Sequence, residues 1–231
     1  MESRSLSELQ NKIEYHFHNE KLLKQAVTHS SYANEQKIRK QPNYERVEFL
    51  GDAVLELVSS EFFYHQYPEL PEGKLTKMRA SAVCEQALAI TARQLELGSF
   101  LYLGRGEEAT GGRERDSIIA DVVEAVIGAI YLDSGFDDAK NFILRFVLND
   151  LEHKKLFYDA KSVLQEEVQN NKLGELVYEL LREEGPEHDK SFYVAALLNG
   201  KKIGEGAGHN KKAAEQKAAY EAILAIRNDR E

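Results

Sequence analysis

The sequence predicts a multidomain fold of class α followed by α+β: an all-α region over residues 1–152, then a small α-β-β-β-α domain over residues 159–228. Three observations lead there. Over the first 150 residues apolar side chains recur without strict alternation, and no period-two strand pattern stands out. Past residue 159, aromatic and β-branched runs surround Asn199-Gly200, the usual short hairpin signal. An alanine-rich helical stretch then closes the chain.

The elements follow in order. VEFLGDAVLELVSSEFFYHQ (47–66) reads as a helix whose one weak point is Gly51. PELPEG supplies a two-proline turn. KLTKMRASAVCEQALAITARQLEL (74–97) is expected to be one long helix closed by Gly98. GRGEEATGG (104–112) is a polar, glycine-rich loop. SIIADVVEAVIGAIYLD (117–133) is a strongly apolar helix, and DDAKNFILRFVLNDLE (137–152) an amphipathic one. The junction falls near residues 152–160. DAKSVLQEEVQNN (159–171) opens the second domain as an amphipathic helix, with Asp159 or Ser162 as cap. Strands in 175–185 and 191–208 follow, then a helix over 210–228.

Composition narrows the class. A 42% hydrophobic fraction supports a core and excludes global disorder. No uncharged stretch exceeds ten residues, against about twenty needed for a spanning helix, so no membrane segment is expected. The start, MESRSLSELQ, lacks the apolar core of a signal peptide. A single cysteine makes no internal disulfide, which points to a reducing, cytoplasmic setting. The net charge of −9 argues at first sight against a polyanionic partner. The distribution is uneven, however. Residues 201–217 hold five Lys and two Glu, a basic island in an acidic chain.

The charges that the helices should exclude are the most informative. Between Ile118 and Leu132 only Asp121 and Glu124 are charged, and their i,i+3 spacing puts both on one face. A surface stripe would also carry Lys, Arg or Gln, and this helix carries none. The helix around residues 45–56 repeats the pattern with Glu45, Glu48, Asp52 and Glu56 among Val, Phe, Leu and Ala. An ionised carboxylate in apolar surroundings is costly unless paired or bound to metal. Two such helices suggest a joint oxygen-ligand site for a hard cation, Mg²⁺ or Mn²⁺. A di-iron centre would need Glu three residues before a His, and no His has one. One Cys and scattered His disfavour zinc. Cys84 reads as core and His29 as a structural histidine. A carboxylate-held Mg²⁺ serves phosphoryl chemistry, so an acidic site and a nucleic-acid substrate are compatible.

At this point NYERVEFLGDAVLELV (43–58) resembles the signature of the ribonuclease III family. The resemblance extends through THSSY (28–32), PEGKLTKMRA (71–80), LGRGEEATGGRERDSIIADVVEAVIGAIYLDSG (103–135) and the C-terminal domain. It implies a Mg²⁺ site formed by Glu48, Asp52, Asp121 and Glu124, at which water attacks the scissile phosphodiester, with Asp52 and Glu124 as the catalytic pair and Glu124 the most critical ligand. Glu45 and Glu72 match two accessory cleft acids. Glu56 has no counterpart and reads as surface. The family implies a homodimer in which Phe49 enters the partner subunit; an ordinary core Phe is the other reading. It also implies 5′-phosphate and 3′-hydroxyl products with short 3′ overhangs, and substrates such as ribosomal-RNA precursors and other structured RNAs. No small-molecule cofactor is implied.

The C-terminal domain resembles the double-stranded-RNA-binding domain. The match places Gln165 and Glu166 of the first helix, and His188 of the following loop, at two minor grooves. Asn210, Lys211 and Lys212 start the last helix. Asn210 is a good N-cap, but two cations in the first turn oppose the macrodipole, at about 0.3–1 kcal/mol. Free backbone N–H groups and two ammonium groups there suit a phosphate. Where many such domains carry a third Lys, this chain has Glu215, which implies modest affinity. A non-catalytic duplex-RNA-binding protein is the alternative reading. It would be favoured by loss of any of the four acids, and none is lost. A small-nucleotide phosphohydrolase would need no C-terminal domain, and no phosphate-cradling loop motif supports it.

Overall fold

The computed structural model describes residues 5–35, 42–151, 156, 159–185 and 190–228. The chain divides into an N-terminal unit, Met1–Leu151, and a C-terminal unit, Glu152–Glu231. Among the described residues no helix is long and apolar enough to cross a membrane.

The N-terminal unit is helical. Its elements are α1 (Leu6–Lys12), α2 (Glu20–Ala26), α3 (Ser30–Glu35), α4 (Glu45–Gln66), α5 (Glu72–Ala82), α6 (Glu85–Gln94), α7 (Arg105–Ala109), α8 (Asp116–Ser134) and α9 (Phe136–Phe142). The central helix is α8, whose Val122, Val123, Ala125, Val126, Ile127, Ala129 and Ile130 are fully buried. Helices α2, α4, α6 and α9 pack around it. A helix apolar on most of its circumference belongs at the centre of a bundle.

The crossing of α4 and α8 is set by two glycines. A Cβ on Gly51 would lie 1.8 Å from the Glu124 carbonyl oxygen, and one on Gly128 would lie 2.0 Å from that of Val47. Only hydrogen fits at either point. Backbones in such contact bring the neighbouring side chains of both helices to one level.

Four local expectations are corrected. The stretch 74–97 is two α-helices, not one: α5 ends at Ala82 and α6 begins at Glu85, with extended Cys84 at the cap position, and Leu97–Phe100 is a 3₁₀ turn. Two helices at an angle let α6 pack on α8 while α5 follows α4. Cys84 is therefore half-buried at this break, its thiol directed to the Ser81 carbonyl, and not a core helical residue. The glycine-rich segment contains α7 and a 3₁₀ turn, Gly112–Glu114, fastened by Arg113 to Glu108 and to the carbonyls of Gly98 and Leu101. The segment after α9 tightens into a π turn at Ile143–Val147. One isolated parallel bridge, Thr28 to Tyr102, is the sole strand-like pairing described in this unit.

The C-terminal unit has the order α10 (Ala160–Asn170), β1 (Leu176–Glu184), β2 (Ser191–Leu198), β3 (Lys201–Gly208), α11 (Lys211–Asn228). The sheet is antiparallel in the order β1-β2-β3. Asn199 and Gly200 both have positive φ, 52° and 78°, as the two-residue hairpin between β2 and β3 requires. Leu164 and Val168 of α10 share a core with Val194 and Ala196 of β2 and with Ala214, Ala218, Ala222 and Ile223 of α11. Asp159 precedes α10 but makes no cap bond to it; instead it accepts a hydrogen bond from Ser162 Oγ at 2.7 Å.

Candidate active site and nucleic-acid interface

The contact of α4 and α8 gathers the acids. Glu48 precedes Gly51 by three residues and Glu124 precedes Gly128 by four, so each stands one turn before its helix's contact point. One carboxylate oxygen from each of Glu48, Asp121 and Glu124 lies within 4.8 Å of the other two, and all three residues are half-buried. Asp52 is exposed and lies outside this set. Its charge nonetheless acts on both Glu48 and Glu124.

Burial, then repulsion from Asp121, Glu45 and Asp52, pushes Glu48 up to about 7. Burial, then the charges of Asp52, Glu48, Asp121 and Glu56, pushes Glu124 up to about 8. Burial also raises Asp121. Among the described residues no salt bridge reaches any of these three acids. All-carboxylate donors suit a hard divalent cation. Protons and a cation compete for the same oxygens, so the site fits a metal on its donor chemistry and on its unrelieved repulsion.

One contributor escaped sequence reasoning. The Tyr44 hydroxyl donates to Asp121 Oδ2 at 3.3 Å. Tyr44 is 4% exposed, its ring lies 5.6 Å from the ring of His29, and its backbone N–H donates to Thr28 O at 2.9 Å. Burial, and then the charge of Asp121, raises the phenol far above its ordinary value, so it stays a donor. His29 in turn is held by Ser31, Nδ1 to Oγ at 2.7 Å. The THSSY segment thus backs the site through Tyr44. A tyrosine ahead of an apolar helix reads as core, and the only clue was its place directly before Glu45.

The remaining acids lie apart. Glu45 is exposed at the start of α4, near enough for its charge to act on Glu48. Glu72 begins α5, accepts from Thr76 Oγ1 at 2.9 Å and lines a cavity of about 490 Å³ with Leu57, Phe63 and Leu75, away from the three-acid cluster. Glu56 pairs with Arg79 at 2.8 Å. Phe49 is 78% exposed, so the core reading is excluded within this chain.

In the C-terminal unit Gln165 and Glu166 are exposed on α10, opposite the buried Leu164 and Val168. Asn210 Oδ1 accepts the Ala213 N–H at 2.8 Å, the N-cap geometry expected of it. Lys211 and Lys212 are exposed in the next turn. Lys211 lies 3.7 Å from Glu183 and 5.9 Å from the centroid of the Phe192 ring. His188 lies outside the described residues.

Comparison with known proteins agrees with this layout. Residues 19–151 match the Ribonuclease-III-like family model, and residues 160–226 match the double-stranded RNA binding motif. Ribonuclease 3 of Bacillus velezensis is 49% identical over 94% of this chain and 88% of its own length. Ribonuclease 3 of Natranaerobius thermophilus is 49% identical over 96% of both. Among solved structures, the nuclease domain of ribonuclease III from Campylobacter jejuni matches 62% of this chain and 96% of that one, at 42% identity and a TM-score of 0.58. On the strength of both domain matches and of relatives aligned along nearly the whole chain, the protein belongs to the ribonuclease III family.

Proposed function

We propose that this chain is a Mg²⁺-dependent endoribonuclease that hydrolyses phosphodiester bonds in double-stranded RNA as a homodimer. The observation that carries it is the convergence of Glu48, Asp121 and Glu124 at the crossing of two apolar helices. These three would hold the cation, with Mn²⁺ able to substitute. When bound, it supplies Lewis acidity, drawing charge from the scissile phosphate and easing the ionisation of water. Asp52 adds its charge to the set and, being exposed, has room to orient the attacking water. Glu124, with Asp52, is the member whose loss should matter most. Glu45, whose charge acts on Glu48, assists from the rim.

The C-terminal unit supplies the duplex contacts. A-form RNA shows a wide, shallow minor groove lined by 2′-hydroxyls, and domains of this type span two such grooves and the phosphates between them. Gln165 and Glu166 face one groove, His188 the second, and Lys211 and Lys212 with the Asn210-capped helix end take the phosphates. Phe49, exposed on α4 beside the acids, makes the dimer contact. Two sites in one dimer, one per strand, yield 5′-phosphate and 3′-hydroxyl ends with short 3′ overhangs. Precursors of ribosomal RNA and other structured transcripts in the cytoplasm fit this specificity.

The test incubates long duplex RNA, single-stranded RNA and duplex DNA with the protein and Mg²⁺, and repeats with Glu124→Ala. Only duplex RNA should be cut. The variant should lose about a thousandfold in rate, the scale of removing a preorganised electrostatic group, while still binding. Binding without Mg²⁺-dependent products in the unaltered protein would instead establish a non-catalytic duplex-binding protein.

A further inference from the structure

Glu215 stands where a third phosphate-facing lysine would extend the Lys211–Lys212 island. In the fold it faces Lys161, in the first turn of α10, and the two form an ion pair. Both side chains are largely covered, exposing 27% and 33% of their areas respectively. The Lys161 ammonium also lies 4.8 Å from the centroid of the Tyr178 ring on β1. One residue further along α11, Gln216 Oε1 accepts the Lys161 backbone N–H at 2.9 Å. This is one of the N–H groups that a helix start leaves without an intrahelical partner. Asp159 makes no cap bond to α10, so α11 supplies it.

These contacts join the two helices that carry the RNA-facing groups. Gln165 lies one turn beyond Lys161 on α10, and Lys211 one turn before Glu215 on α11. We infer that Lys161, Glu215 and Gln216 are positioning residues for duplex binding, locking the start of α10 onto α11 and fixing the spacing between the groove-facing and phosphate-facing side chains. Glu215 is then not a missing phosphate contact. A lysine there would set a second ammonium against Lys161 and press the two helix ends apart. Recognition by shape depends on that spacing, because a rigid duplex rewards only groups already at the right separation.

The inference rests on the duplex-binding reading of the C-terminal unit, and the experiment separates the two. The intact protein is titrated with duplex RNA in EDTA, which prevents cleavage, at several KCl concentrations. Glu215→Lys should bind about fivefold more weakly, although it adds positive charge. Glu215→Gln should weaken binding in the same direction with an unchanged melting temperature, which covers the case in which Glu215→Lys fails to fold. The charge-swapped double variant Lys161→Glu/Glu215→Lys has the original net charge and should regain much of the lost affinity. Tighter binding by Glu215→Lys with a steeper salt dependence would overturn the positioning role, as would unchanged binding by Glu215→Gln or a swap no better than Glu215→Lys. Lys211→Ala/Lys212→Ala is run alongside. If the unaltered protein binds no duplex, or loss of both lysines changes nothing, the duplex-binding reading falls and the positioning role with it.

Discussion

In the N-terminal unit α4 and α8 touch backbone to backbone through Gly51 and Gly128, and in the C-terminal unit α11 lies on β3 through glycines. A Cβ on Gly204 would meet the Ala218 carbonyl oxygen at 2.2 Å, and one on Gly206 would meet the Ala218 nitrogen at 2.4 Å. The packing device is the same, but the charges beside it are handled oppositely. At the α4–α8 contact, like charges are brought together and, among the described residues, left without a cation. Among the described residues of the C-terminal unit four lysines have acidic neighbours: Lys161 with Glu215, Lys190 with Glu183 at 2.7 Å, Lys202 with Glu205 at 2.9 Å and Lys211 with Glu183 at 3.7 Å. Close packing thus stores repulsion where a metal is to be held. Where a polyanion is to be met, Lys211 stands 3.7 Å from Glu183 and Lys212 is exposed beside it. Repulsion in a half-buried cluster is strong because little water screens it, whereas exposed pairs are worth about 0–1 kcal/mol.

The sharpest way to break this contrast is Gly128→Ala. Its methyl would lie 2.0 Å from the Val47 carbonyl and must part the helices. Overpacking of this kind should cost about 3 kcal/mol. A melting temperature lower by roughly 10 °C is expected for a chain of this size, together with loss of cleavage. An unchanged melting curve would mean that the crossing tolerates separation and does not enforce the acid cluster. A smaller effect is expected of Lys211→Ala/Lys212→Ala. Duplex affinity should fall about tenfold near physiological salt, and the slope of log K against log salt should shrink by about 1.5 as two phosphate contacts go. Removing cations from a helix start should leave thermal stability equal or slightly higher, the reverse of the glycine variant.

Tyr44→Phe removes only the hydroxyl that Asp121 accepts and keeps the ring against His29. A partner of this kind typically contributes about tenfold or more to metal affinity. Calorimetric titration with Mn²⁺ should show about that loss with unchanged duplex binding; identical Mn²⁺ affinity would remove Tyr44 from the site. The smallest effect concerns an acid the packing does satisfy. Burial alone would raise Asp133, but hydrogen bonds from the Tyr15 hydroxyl and the His18 and Asn19 amides, at 2.7, 2.8 and 2.9 Å, bring it below the ordinary range. A carboxyl depressed in the folded state adds stability above its unfolded value of about 3.9, and that stability is lost as pH falls through the folded value. Asp133→Asn should therefore flatten the acid limb of stability against pH, measured by denaturant titration below about pH 5. An unchanged limb would show that the three hydrogen bonds do not favour the ionised form.

Much of the site could be read from the chain because its residues contradict their surroundings. Asp121 and Glu124 are the only charges between Ile118 and Leu132 of α8, the helix that the bundle buries, and Glu48 and Asp52 repeat the anomaly on α4. The hairpin at Asn199-Gly200 and the cap at Asn210 are local conformations set by a few adjacent residues, so they too were legible. What failed or stayed open depends on separations of tens of residues. Residues 74–97 keep helical periodicity across a break that only the different partners of α5 and α6 require. Glu72 shares residue type with the cluster but lies on another face. Tyr44 and Phe49 are both aromatics at the start of the same helix, yet one is buried against Asp121 and the other is exposed.

The sequence by itself determined the class of each unit, the two acid-bearing helices and the basic start of the last helix. Periodicity, capping and charge in apolar context act over a few residues and leave their mark in the chain. Tertiary structure alone decided which acids meet, that Asp52 stands outside the closest set, that Tyr44 backs Asp121, and that Glu215 faces Lys161. Such meetings follow from where two helices cross, and a crossing is fixed by glycine contacts and core packing between residues far apart in sequence.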